Sequence, residues 1–169
     1  DNGCLEGANP TKLSERALER GRRQLGTLGA GNHFIEVDLI SDVYDHHSAR
    51  VMGLHQGEIT VQIHTGSRGF GHQICSDYVR KLQSAVAKFD IHLPDKQLVC
   101  APINSKEGQD YLGAMRCGAN FAFLNRQLLA NKVREAFMTV LGNKVENPRL
   151  FQIYDLAHNI GKLEKHFVN

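Results

Sequence analysis

The chain has 169 residues, 41% of them hydrophobic and 22% charged, with a formal net charge of +2. That composition fits one soluble globular domain and excludes a fibrous or low-complexity chain, while so small an excess of Lys and Arg gives no general case for a surface that tracks nucleic acid. No apolar run approaches a membrane span, and the opening DNGCLEGANP has neither the basic start nor the apolar stretch of a secretory signal, so a cytoplasmic location is expected.

The chain begins at Asp1, without methionine and in loop-like sequence, as a piece of a longer protein would. Cys4, Cys75, Cys100 and Cys117 lack paired CxxC spacing, which predicts reduced and mostly buried thiols. KLSERALERGRR is rich in helix formers, and Arg16, Arg20, Arg22 and Arg23 read as the solvated face of that helix. In the following QLGTLGAGNHFIEVD, glycines at 26, 29 and 31 let the backbone turn sharply and approach a ligand closely. They deliver Asn32 and His33 to the start of a strand, because HFIEVDLI alternates Ile35, Val37 and Leu39 with Phe34, Glu36 and Asp38 in the half-buried pattern. Adjacent His46 and His47 fall in a charged loop.

GEITVQIH puts Ile59, Val61 and Ile63 on one face and Thr60, Gln62 and His64 on the other, so His64 ends a strand on its polar side. Phe70, Ile74, Tyr78, Leu82 and Val86 then recur four apart as an amphipathic helix stripe. QLVCAPI predicts a strand, and Gly108 to Leu141 one long helix, or two with a bend near Gly118, carrying Tyr111, Met115, Phe121, Leu124, Leu128, Val133, Phe137 and Val140 at helical spacing. Pro148 interrupts, LFQIYDL reads as a last strand, and AHNIGKLEKH starts a turn or helix around His158 and Asn159. Strands and helices interleave without a regular crossover period, which predicts an α+β fold with a mixed or antiparallel sheet backed by helices, as a single domain or as a fragment.

Three segments carry chemistry. His33, His64 and His158 each stand where a strand meets a loop or turn, and neutral imidazoles from separate strand ends can converge on one transition-metal ion; each alone reads more readily as a structural or surface residue. His46, His47, His55, His72, His92 and His166 have no such placement. In HTGSRGFGH, Gly66, Gly69 and Gly71 allow close approach, Ser67 offers a hydroxyl, Arg68 a fixed fork of donors, and a helix start its N–H groups: an anion site, or else a tight turn with a surface arginine. It is neither a Walker loop nor a GxGxxG fingerprint. Asn120, Asn125 and Arg126 interrupt an apolar helix, which suggests a hydrogen-bonding task, in a site or as a satisfied core amide.

QLGTLGAGNHFIEV, IHTGSRGFGHQ, NSKEGQDYLGAM, GANFAFLNRQ and YDLAHNIGKLEKH, in this order, resemble the central part of the RtcB family of RNA-splicing ligases, from about Glu6 to His166. The resemblance implies an RtcB-type fold and a GTP- and manganese-dependent ligase that joins RNA ends bearing a 2′,3′-cyclic phosphate or 3′-phosphate to RNA 5′-hydroxyl ends, in tRNA splicing or RNA repair. In that family a histidine is guanylylated, GMP passes to the RNA 3′-phosphate, and the 5′-hydroxyl displaces it. By motif, His33, His64 and His158 match metal ligands; Asn32, Phe34, Glu36 and Asn159 match positions near the guanylate; Arg68, with Ser67 beside it, matches a holder of RNA phosphate. Implied partners are RNA (tRNA halves or broken ends), GTP and an archease-type activating protein, with no membrane. The chain lacks the family's upstream Asp and Cys ligands, the guanylylated histidine and the downstream lysine of the nucleotide pocket; Asp1 and Cys4 only mimic the Asp-x-x-Cys spacing. No catalytic residue is therefore assigned, and the chain alone is expected not to ligate. Two alternatives are a stand-alone metal-dependent RNA phosphoesterase and a non-catalytic RNA-binding remnant.

Overall fold

Ser14 sets the first helix, α1 (Glu15–Gln24): its Oγ accepts the Ala17 N–H at 3.1 Å and itself donates to Asp77 Oδ2 at 2.6 Å. The structure, a computed structural model, describes residues 3–145 and 149–168, so the interruption expected at Pro148 and the Asp1 of DNGC lie outside the described residues. Helix α1 packs its buried positions, Ala17 and Gly21, toward α3 (Arg68–Lys88). The stripe read from the sequence is buried there: Phe70, Ile74, Tyr78 and Leu82 are at most 6% exposed. Its last member is Ala85 rather than Val86, because a strict four-residue step drifts around a helix of 3.6 residues per turn.

Helix α4 (Lys106–Leu141) runs 36 residues as one element, with Ser105 Oγ accepting the Gly108 N–H. The helix is not divided at Gly118. A β-carbon at that glycine would make ordinary van der Waals contacts, with Ile74 Cδ1 at 3.5 Å and Gly71 Cα at 3.7 Å. The buried face of α4 is made largely of small residues, Ala114, Ala119 and Ala122 with Phe123, while Leu124, Leu128 and Val140 of the expected stripe are 37% to 61% exposed.

Two compact units emerge. Unit 1 takes Asp1–Leu25, Gly66–Leu124 and Ala157–Asn169, and holds the core of α1, α3 and the first half of α4. Unit 2 takes Gly26–Thr65 and Asn125–Leu156. Within unit 2, strands β1 (Phe34–Leu39) and β2 (Ile59–His64) form a two-stranded antiparallel sheet, with helix α2 (His46–Met52) between them in sequence. Asp45 caps α2 by accepting the N–H groups of His47 and Ser48, and Gly53 ends it in the left-handed region, so His46 and His47 begin a helix rather than lie in a loop.

The α+β class is as expected, with the sheet antiparallel. Several expectations are corrected. The apolar side of β1 is exposed rather than half-buried: Ile35, Val37 and Leu39 are 37%, 57% and 62% exposed, while Val61 and Ile63 of β2 are half-buried, as a two-stranded ribbon that packs little against helices leaves them. QLVCAPI is not a strand; the Gln97 and Leu98 N–H groups turn back to Asp95. LFQIYDL is not a strand either, and AHNIGKLEKH forms a bend at 158–159 without a helix. The cysteines are free, but Cys4, Cys75 and Cys100 are exposed and Cys117 is only half-buried. Among the described residues, no helix is long and apolar enough to cross a membrane.

Candidate functional site

The glycine-rich segment of unit 2 is pinned at its first residues. Gly26, Gly29 and Gly31 all have positive φ (71°, 110° and 76°), a region that side-chain-bearing residues rarely adopt. Fully buried Asn125 of α4 accepts the Gly26 N–H at 2.7 Å and the Thr27 N–H at 3.2 Å, and donates to Thr27 O at 3.1 Å. Lys132 donates to Gly26 O, and Thr65, just past β2, donates to Leu28 O at 2.7 Å. A rigid helix thus holds one end of the turn whose other end carries Asn32 and His33.

Strand pairing then brings two candidate ligands together. Phe34 lies opposite His64, and the rings of His33 and His64 stand 6.0 Å apart in an edge-to-face arrangement. The Phe34 ring meets His64 edge-on at 5.2 Å. Because side chains two apart share a strand face, Phe34, Glu36 and His64 all project from the polar side of the hairpin. Asn32 and Glu36 are exposed; His33, Phe34 and His64 are half-buried. His158 and Asn159, both exposed, belong to unit 1. Within either unit, no three His, Cys, Asp or Glu side chains among the described residues gather closely enough to hold a metal ion. The fit within unit 2 is therefore two imidazoles, a donor pair suited to a first-row divalent ion but short of a full set.

Gly66 to His72 of the segment read as an anion site or a tight turn lie in unit 1. Ser67 precedes α3 without a side-chain cap, and Arg68 opens the helix at φ 54°, a left-handed conformation unusual for a residue with a β-carbon. The helix N–H groups are not all open, as the sequence had implied: Gly69 N–H donates to Gln24 Oε1 at 2.6 Å, and Gly71 N–H returns to Ser67 O. Arg20 joins this corner. A side chain at Gly69 would come within 2.8 Å of Arg20 Nε, and Arg20 donates to Gln73 Oε1 at 3.0 Å. Of the four arginines read as solvated, Arg20 is half-buried while Arg16, Arg22 and Arg23 are exposed; its partner Gln73 lies on another helix, so spacing within α1 carried no signal of it. Gln73 in turn donates to Asp77 Oδ1 at 2.9 Å. Burial alone would raise the Asp77 carboxyl, but hydrogen bonds from Ser14 and Gln73 and the nearby charges of Arg80 and Lys81 hold it below the usual aspartate value.

The polar residues inside α4 have structural tasks. Asn120 accepts the Leu5 N–H and donates to Leu5 O, Asn125 anchors the glycine turn, and Arg126 pairs with Asp155. Chemically, unit 2 offers two imidazoles beside a carboxylate and an amide, and unit 1 offers guanidinium groups at a helix start, a setting for phosphate.

The family described as tRNA-splicing ligase RtcB matches residues 1–169. The chain is 52% identical over 169 residues to a tRNA-splicing ligase RtcB of Archaeoglobus fulgidus, covering 100% of this chain and 35% of that protein. It is 48% identical over 169 residues to the protein of the same name from Methanococcus maripaludis, again 100% of this chain and 35% of the relative. An RNA-splicing ligase RtcB of Mycobacterium bovis is 46% identical over 166 residues, 98% of this chain and 37% of the relative. The chain thus spans about a third of the length of these relatives.

Proposed function

The chain belongs to the RtcB family, and on that premise we propose that it is part of a GTP- and manganese-dependent RNA ligase, one that joins 2′,3′-cyclic phosphate or 3′-phosphate ends to 5′-hydroxyl ends. The observation that carries the reading is the juxtaposition of His33 and His64 across the paired ends of β1 and β2. With His158 they would hold the manganese ion, which when bound neutralises phosphoryl oxygens and orients a nucleophile. Asn32, Phe34, Glu36 and Asn159 would contact the guanine nucleotide, the exposed carboxylate and amides supplying hydrogen bonds and the Phe34 ring an apolar wall. Arg68 and Ser67 would hold an RNA phosphate, with Arg20 as a further guanidinium on the same corner. The left-handed backbone of Arg68, which costs on the order of 1–2 kcal/mol, supports a position fixed by function. The partners on this reading are RNA ends, GTP and an archease-type activator, in the cytoplasm.

Because the chain spans only about a fifth to a third of the length of its relatives, the decisive measurement is binding rather than ligation. Calorimetric titration with manganese is expected to show binding by the unaltered chain and loss of it in His33→Ala and in His64→Ala, with the far-ultraviolet spectrum of each variant unchanged. Full manganese affinity in His64→Ala would overturn the metal assignment.

A further inference from the structure

Residues 149–156 of unit 2 have no regular secondary structure, and most of their apolar side chains face solvent: Phe151, Tyr154 and Leu156 are 82%, 63% and 72% exposed, while Leu150 is half-buried. Burial therefore does little to fix this stretch. Two arginines of α4 tie it down instead. Arg134 Nε donates to Leu150 O at 3.1 Å, and Arg126 Nε meets Asp155 Oδ1 at 2.6 Å. The second contact is the stronger kind: a charge-assisted pair whose side chains are only 13% and 30% exposed, so water screens it less than a surface ion pair. Its helical partner is firmly set, since Arg126 follows Asn125, the buried amide that pins Gly26 and Thr27. Consecutive residues of one helix thus fix the chain seven residues before His33 and three residues before His158.

We propose that the Arg126–Asp155 pair is a positioning latch: it orders the chain that leads into His158 and Asn159, so that these side chains are presented rather than left to a loose segment. Arg126 and Asp155 touch no reacting atom on this view; they act through the residues that follow. The assignment of His158 and Asn159 to the metal and nucleotide rests on the reading above, but the latch itself is testable without either ligand.

Two readouts on the metal-free 169-residue chain decide it. Asp155→Asn keeps the shape and removes the charge, and is expected to speed chymotryptic cleavage after Phe151 and Tyr154 about tenfold, because cleavage tracks local opening. Buried Phe70 and Tyr78 should stay protected, which separates local release from global unfolding. In the same variant the order parameter of the labelled His158 ring should fall, with recovery in Asp155→Glu. Unchanged cleavage, or faster cleavage with His158 equally ordered, overturns the latch. Manganese titration of the unaltered chain tests the other reading separately: no binding there overturns the metal assignment, while the cleavage and ring measurements still decide the latch.

Discussion

Asn125 completes its hydrogen bonds inside a fully buried site, accepting two N–H groups and donating to Thr27 O. Removing such an amide takes its acceptor from the buried Gly26 N–H, and an unsatisfied buried group costs roughly 1–3 kcal/mol. Asn125→Ala is therefore expected to lower stability by about 1–3 kcal/mol in urea denaturation, and to weaken manganese binding as the turn before His33 loosens. A loss within error of zero would mean that Lys132 and Thr65 suffice to hold the turn. Tyr78 gives a second test in unit 1. Its hydroxyl reaches the carbonyls of Lys12 and Asp110, and burial, followed by the charges of Asp110, Cys117 and Asp77, pushes its pKa up to about 12. A raised folded pKa means that the contribution is fully present below the ordinary tyrosine value near 10 and is lost as pH rises through 12. Stability should fall across that interval, and Tyr78→Phe should remove the Tyr78 share of the fall, leaving that of Tyr111, at a cost of about 1 kcal/mol at neutral pH.

Helix α4 shows how glycines that look alike in sequence differ in consequence. At Gly118 an added β-carbon meets only ordinary van der Waals contacts with Ile74 and Gly71, so Gly118→Ala gains helix propensity and should stabilise by up to about 1 kcal/mol. At Gly113 it would come within 2.9 Å of Asn9 Cβ, next to the Asn9 N–H that donates to Gly113 O, so Gly113→Ala should destabilise. Thermal unfolding of the two variants in opposite directions is the expected result; equal shifts would contradict the packing. Much of this level was legible: the stripe of α3, the alternation of β1 and β2 and the span of α4 follow from periodicity alone. The apolar runs at 97–103 and 150–156 misled because an apolar run needs a ladder partner to be a strand, and the chain satisfies them with a turn at Asp95 and with Arg126 and Arg134. Of the candidate site, the strand-end placement of His64 could be read locally, whereas its meeting with His33 depends on register between segments some thirty residues apart, which no local pattern encodes. Arg20 was hidden for the same reason, since its contact with the start of α3 is tertiary.

On the scale of the whole molecule, apolar surface and charge are set against each other. The register places Ile35, Val37 and Leu39 opposite Ile63, Val61 and Ile59, so one face of the hairpin is a continuous aliphatic surface, much of it exposed. Open apolar patches of this kind favour association, and a net charge of +2 on 169 residues supplies little repulsion against it. Concentration-dependent self-association is therefore expected in velocity sedimentation. If apolar contact drives it, added sodium sulfate should strengthen it, whereas an ion-paired association would weaken with salt. Val37→Thr with Leu39→Thr keeps strand-compatible β-branched residues while removing aliphatic surface, and should shift the chain toward monomer without melting the hairpin. A single monomeric boundary at every concentration would show that these side chains are tolerated in water, as scattered surface apolar residues are. Association that persists unchanged in the double variant would move the contact surface elsewhere, toward the exposed side chains of Leu163, Phe167 and Val168 in unit 1.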